Sequence, residues 1–220
     1  MGKMIEFQRP DGGSSEAYLA EGPAGAPGLL LIQEWWGLKP HIRELADRFA
    51  DAGYTALAPD LYRGRIAADA DEAKHLMNKL DFIDAIEQDL GGALQFLQQQ
   101  GCHKVAVIGF CMGGALAIAA SVRLPGLAAV CSYYGIPPAA LVDPAQIAIP
   151  LQAHFAAEDD WCTPATVDAF EKALKAPAEI HRYQAQHAFF NDSRPEVFDA
   201  ASAALAWQRT LDFFGRQLHG

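Results

Sequence analysis

Three side chains stand in the order that nucleophilic acyl chemistry requires: Cys111, then Asp159, then His187. Cys111 lies in Val105-Ala-Val-Ile-Gly109-Phe110-Cys111-Met112-Gly113-Gly114-Ala115, an apolar run that passes through G-x-C-x-G into an alanine-rich stretch. This is the nucleophile-elbow pattern with Cys in place of Ser. Glycines flank such a nucleophile because the turn brings strand and helix backbones too close for side chains. The thiol is then presented at a helix N-terminus, where the dipole favours the thiolate. A buried cysteine in a glycine-rich turn gives the same five letters. Chain order favours the chemical reading, because on this elbow the nucleophile is followed by an acid and then by a histidine.

Asp159 sits in Ala156-Ala-Glu-Asp-Asp-Trp161 and His187 in Gln184-Ala-Gln-His-Ala-Phe-Phe-Asn191, each just past an apolar segment that reads as a strand. Open α/β sheets build their sites at such carboxyl ends. Glu158 and Asp160 compete with Asp159, whose register with the preceding strand is better. Among the other histidines, His41, His75 and His103 precede or lack the required position, His154 and His181 fall inside strands, and His219 is terminal. A further carboxylate, Glu34, lies between an apolar strand and two tryptophans in Leu31-Ile-Gln33-Glu34-Trp35-Trp36-Gly37. Burial there without a partner is costly, so Glu34 is either a perturbed functional group or a solvated strand-end residue. The backbone N–H groups of Met112 and Trp35 are candidates for an oxyanion hole. Trp36, Phe189 and Phe190 are close enough in sequence to be expected on a substrate surface.

Taken together, Gln33-Glu34-Trp-Trp-Gly37, Pro59-Asp60-Leu-Tyr62, Gly109-Phe-Cys-Met-Gly-Gly114 and His187-Ala-Phe resemble the dienelactone hydrolase (carboxymethylenebutenolidase) family over about residues 28 to 215. The resemblance implies an α/β-hydrolase fold and a Cys-His-Asp triad at Cys111, His187 and Asp159. It also implies that Glu34 contacts the resting thiol and takes part in its activation when substrate binds. One departure is informative. The family's best-known members grip a substrate carboxylate with arginines, one shortly after the triad histidine and one in the helical region after the Asp-Leu-Tyr segment. Here Asn191 occupies the first neighbourhood, and no Arg occurs between Arg65 and Arg123. Arg194, Lys74 and Lys79 are the available substitutes, though Lys offers a point charge in place of a bidentate fork.

The elements that must position these groups follow from hydrophobic periodicity. Gly28 to Gln33, Tyr54 to Ala58, Val105 to Ile108, Leu127 to Ser132, Leu151 to Phe155 and Glu179 to Tyr183 read as strands. The residues before Gly28 read as an opening with Gly-Gly and Pro-Gly turns. Helices are expected over His41 to Ala52, over Asp69 to Gln99 with a break near Leu80-Asp81, over Thr163 to Lys175, and from Pro195 to Leu218. Alternating strands and helices predict an α/β architecture with a mainly parallel sheet and helices on both faces. The chain has 220 residues and no repeat or linker, so one domain over 1–220 is expected.

A net charge of −10 repels phosphate backbones and anionic lipid, so neither nucleic acid nor a membrane is expected as a partner. Val105 to Val122 has no charge and approaches the length of a membrane span, but Gly109, Gly113 and Gly114 divide it. The N-terminus lacks an export or acylation signal, and Cys102, Cys111, Cys131 and Cys162 have no paired spacing, which together suggest a reducing cytoplasm. No metal motif is present, and no cofactor is expected. The expected activity is hydrolysis of small lactones or esters. Alternatives are acyl transfer or thioester hydrolysis on the same elbow, and a non-enzymatic redox-sensing thiol. A glutamine-amidotransferase-like fold would need His-x-Glu where His187 is followed by Ala188 and Phe189.

Overall fold

The computed structural model describes residues 1–219 and contains one eight-stranded sheet. Its strands are β1 (Lys3–Gln8), β2 (Ser14–Ala20), β3 (Gly28–Ile32), β4 (Thr55–Pro59), β5 (Val105–Phe110), β6 (Leu127–Tyr133), β7 (Leu151–Glu158) and β8 (Ala178–Gln186). They are ordered β1-β2-β4-β3-β5-β6-β7-β8. β1 and β2 pair antiparallel at one edge, β2 joins β4 antiparallel, and every pairing from β4 through β8 is parallel.

Side chains alternate across the sheet and bury both faces. Leu30, Ile32, Val105 and Val107 point to one side, against α4 (Gly91–Gln99), α5 (Met112–Arg123) and α6 (Pro164–Ala173). Leu29, Leu31, Ala106 and Ile108 point to the other, against α1 (Pro40–Asp51) and α7 (Ala200–Leu218). Period-2 burial on both sides explains why β3 and β5 read as unbroken apolar runs. This is the expected α/β-hydrolase arrangement. Among the described residues, no helix is long and apolar enough to cross a membrane. The uncharged 105–122 stretch is β5, the elbow and most of α5.

The helical region after β4 breaks where its sequence indicates. α2 (Ala70–Lys79) ends at Leu80, Asp81 caps α3 (Phe82–Asp84), and a π-helical stretch over Ala85–Leu90 leads into α4. Two expectations change. The opening is a β-hairpin closed by the Gly12-Gly13 turn, with Arg9 N–H donating to the Gly13 carbonyl at 2.8 Å. β1 escapes a hydrophobicity reading because Phe7 is its one fully buried side chain. The last helix begins at Ala200, five residues later than Pro195 suggests. Residues 195–197 form a turn, with Val197 and Phe198 N–H donating to the Arg194 carbonyl, and the Asp199 carboxylate caps α7 by accepting from Ser202 N–H at 2.7 Å.

Candidate active site

Register brings the carboxyl ends of five parallel strands to one edge. Ile32 pairs with Gly109, Phe110 with Tyr133, and Tyr133 with His154. Consequently Glu34 follows β3, Cys111 follows β5, Tyr134 follows β6, Asp159 follows β7 and His187 follows β8 along one rim.

Cys111 has φ 55° and ψ −118°, a strained combination for a side-chain-bearing residue that costs on the order of 1–3 kcal/mol. The surrounding backbone holds it there. Cys111 N–H donates to the Tyr133 carbonyl at 3.0 Å, and the Cys111 carbonyl accepts from Gly114 and Ala115. A Cβ on Gly109 would lie 2.0 Å from the Gly113 carbonyl oxygen, which is the strand–helix crowding expected of an elbow. Gly113 is required for a different approach: its Cβ would lie 2.4 Å from the carbonyl oxygens of Ile32 and Gln33. The same two glycine positions therefore close the elbow and dock it against the strand that carries Glu34.

His187 bridges the other two members of the predicted set. Its Nε2 lies 3.2 Å from Cys111 Sγ and its Nδ1 lies 2.7 Å from Asp159 Oδ2. The other Asp159 oxygen accepts backbone N–H bonds from Trp161 at 2.7 Å and Cys162 at 2.9 Å. Burial works to raise the Asp159 carboxyl. His187 and those two amides outweigh it and hold the group below the usual carboxylate range. Asp160 and Glu158, the competing acids, are exposed, while Asp159 is buried. The imidazole is thus held at Nδ1 by a carboxylate and presents Nε2 to the thiol, an arrangement able to accept and return a proton.

The Cys111 thiol is pushed well above its ordinary range, first by burial and then by the negative charge of Glu34. The Met112 N–H at the start of α5 pulls the other way and loses. Glu34, only 4% exposed, places one oxygen 2.7 Å from Asn191 Nδ2 and the other 3.4 Å from the Tyr134 hydroxyl. It is therefore a buried, doubly bonded carboxylate and not a solvated strand-end residue. Of these partners, Asn191 is marked in the sequence as the residue standing in an arginine's neighbourhood, whereas Tyr134, the first residue after β6, carries no signal of its role. Replacing Glu34 with Gln removes the charge but keeps the shape, so Cys111 should ionise more readily. The pH profile of its alkylation is expected to move to lower pH, and an unmoved profile would show that Glu34 does not act on the thiol.

The cleft around Cys111 and His187 divides. A cavity of about 300 Å³ is lined by Glu34, Trp36, Glu158, Asp160, Gln186 and Arg194 among others. A second, of about 430 Å³, is lined by Met77, Leu80, Phe82, Met112, Ile136 and Pro138 among others. Trp35, Cys111, Trp161 and His187 border both, and the two indole rings meet edge-on with centroids 5.5 Å apart. Trp36 is where its sequence position suggests, on the wall of the smaller cavity. Phe189 and Phe190 are not substrate-facing. Phe189 is fully buried against Tyr134 and Tyr183, while Phe190 stacks on Phe110 with centroids 5.6 Å apart. The turn after His187, with Ala188 at φ 65°, sends both rings down into the core. Of the cationic substitutes, Arg194 borders the smaller cavity, whereas Lys74 and Lys79 are exposed on α2 and border neither.

The loop carrying the tryptophans is fixed from behind. Ala67 N–H donates to the Trp36 carbonyl at 2.9 Å, and a Cβ on Gly37 would lie 2.6 Å from the Arg65 carbonyl oxygen. The loop after β4 that supplies these contacts is tied down by Arg63, whose Nη2 donates to both oxygens of the buried Asp89 carboxylate, at 2.8 and 3.0 Å. Asp89 also accepts from the Ser15 hydroxyl, so the edge hairpin joins the same support.

Comparison with known proteins gives a consistent answer. A sequence model of the Dienelactone hydrolase family matches residues 15–218. Protein usf of Aquifex pyrophilus is 34% identical, covering 99% of this chain and 100% of its own. Carboxymethylenebutenolidase 1 of Cupriavidus pinatubonensis is 30% identical, with 94% of each chain covered. The crystal structure of a Klebsiella pneumoniae protein assigned as a dienelactone hydrolase superposes with a TM-score of 0.85 at 29% identity, covering 98% of this chain and 99% of that one.

Proposed function

Because the chain belongs to the dienelactone hydrolase family, we propose that it hydrolyses small lactones or esters through a Cys111 thiolate, with His187 as proton carrier and Asp159 as the group that orients it. The observation that carries this reading is the continuous contact from Asp159 through His187 to the elbow sulfur. In this scheme the resting thiol is protonated, as burial and the charge of Glu34 both favour. When an ester carbonyl lies against Sγ, His187 Nε2 takes the thiol proton as the C–S bond forms. The carbonyl π electrons move to oxygen, where the backbone N–H groups of Met112 and Trp35 are the donors. Collapse expels the alkoxide, which takes the proton from His187 and leaves a thioester on Cys111. Water then attacks that thioester, gives its proton to His187, and the departing sulfur regains it.

Glu34 acts on the resting state in this scheme: its charge helps keep the thiol neutral until a substrate is present. A neutral thiol also reacts slowly with peroxides, which argues against the redox-sensing alternative. Acyl transfer would follow the same steps with another nucleophile in place of water. A screen of lactones and aryl esters, run beside Cys111→Ala, tests the reading. Turnover retained by that variant would overturn it.

The charge balance of the smaller cavity predicts which substrates are favoured. Glu34, Glu158 and Asp160 face one guanidinium, Arg194, which already holds Glu196 at 2.9 Å and lies over the Trp36 ring. A bidentate Arg–carboxylate contact is worth about 1.5–3 kcal/mol, or roughly ten- to over a hundredfold in affinity. Without it, a dienelactone methyl ester should match or exceed the corresponding free acid in kcat/KM. A large, salt-sensitive preference for the acid would show that Arg194 rebuilds an anion site.

A further inference from the structure

The geometry points to a division of labour between the two cavities: the larger, apolar one receives the acyl chain of the substrate, and the smaller, charged one receives the alcohol and then the hydrolytic water. This inference rests on the hydrolase reading above and adds to it a substrate class, esters of neutral aliphatic or aromatic acids with polar alcohols.

Three observations carry the assignment. The reacting groups stand at the fork, since Cys111 and His187 border both cavities while Trp35 and Trp161 meet edge-on at their shared border. The turn that follows Cys111, through Met112 and Ala115, borders only the larger cavity. The segment around His187, through Gln186 and Ala188, borders only the smaller one. The leaving oxygen must reach His187 Nε2 to take its proton, so the alcohol extends along His187's own segment. The acyl chain is then left to the other side.

The second step of the reaction makes the same demand. The acyl group stays on Cys111 after the alcohol departs, and water must approach the thioester beside His187. An alcohol site lined by Glu158, Asp160, Gln186 and Arg194 rewets when it is vacated. A site walled by Met77, Leu80, Phe82, Ile136 and Pro138 holds a chain without admitting water to it. A larger cavity of about 430 Å³ accommodates a short acyl chain or a single ring.

Burial of each methylene is worth about 0.8 kcal/mol, roughly fourfold in kcat/KM, so p-nitrophenyl acetate, butyrate and hexanoate should form a rising series until the cavity is full. Met77→Trp and Ile136→Trp, at two half-buried lining positions from separate segments of the chain, fill the larger cavity. Each should lower the hexanoate-to-acetate ratio at least tenfold, while Val197→Trp in the smaller cavity should leave that ratio within about twofold. The reverse pattern would place the acyl chain in the charged cavity and overturn the assignment. A readout independent of ester hydrolysis separates this inference from the activity itself. The rates at which methyl, butyl and hexyl methanethiosulfonate modify Cys111, located by peptide mass, should rise with chain length and lose that rise in Met77→Trp. A rise with no ester turnover would sink the hydrolase reading and leave the chain site standing. A flat series would sink the chain site.

Discussion

Cys111→Ala is expected to lower lactone and ester turnover by roughly 10⁴-fold or more, to whatever the oxyanion donors and binding alone can supply. Cys111 has the strained elbow geometry, and its sulfur lies 3.2 Å from His187 Nε2. The other thiols lack this placement. Cys102 is buried between α4 and β5, and Cys131 lies under α7, 3.8 Å from the Thr210 hydroxyl. Cys102→Ala and Cys131→Ala should keep most of the turnover, at a stability cost of about 1 kcal/mol each from the small cavity left behind. Cys162 is the searching comparison, because it borders the larger cavity and its N–H holds Asp159. Its thiol is pushed up to about 12 by burial and by Asp159, as the Cys111 thiol is also pushed up, so placement separates the two: it is the Cys111 sulfur that lies against His187 Nε2. A loss on Cys162→Ala as large as that on Cys111→Ala would overturn the nucleophile. Iodoacetamide supplied with substrate should label Cys111, and its rate without substrate should climb only at alkaline pH, since burial and Glu34 both oppose ionisation.

What the sequence made legible follows a physical divide. β3 and β5 could be read because strands buried on both faces have continuous apolar runs, and the elbow because the glycines at 109 and 113 are dictated by backbone approach. Asp159 and His187 could be placed because each follows a strand whose apolar core is visible, even though β7 and β8 each run three residues farther than their hydrophobicity suggests. The hairpin β1–β2 could not be read this way, as an edge with one buried aromatic in β1 carries almost no alternation. Phe189 and Phe190 were misplaced for a conformational reason. Proximity to His187 in sequence does not fix direction, and the left-handed backbone at Ala188 turns both rings away from the cleft. The apolar wall from Met77, Leu80, Phe82 and Ile136 was invisible because it assembles from α2, α3 and the loop after β6, segments far apart in the chain.

His187→Ala should cost on the order of 10³-fold or more in turnover while leaving the protein folded, because both proton transfers pass through one ring. The side chain is 18% exposed at the mouth of the cleft and packs against Tyr134 and Trp161, so its removal opens a solvated gap and not a core cavity. An unchanged melting temperature beside the lost activity separates chemistry from folding. Asp159→Asn tests the same chain of contacts one step back. The Asn side-chain oxygen can still accept from Trp161 and Cys162, so the turn should survive. The lost charge matters at Nδ1, where an amide nitrogen would favour the tautomer with its proton on Nε2, the wrong one to accept from a thiol. The native carboxyl is held below its ordinary range by His187 and two amides, so the pair should persist as pH falls to the usual range of exposed carboxylates. Turnover should fall by roughly 10²- to 10⁴-fold in Asp159→Asn. Asp160→Asn removes an exposed carboxylate from the smaller cavity and should act mainly on KM. If Asp160→Asn instead lowers kcat more than Asp159→Asn does, the acid of the set is the neighbour, and the 2.7 Å contact to Asp159 is structural.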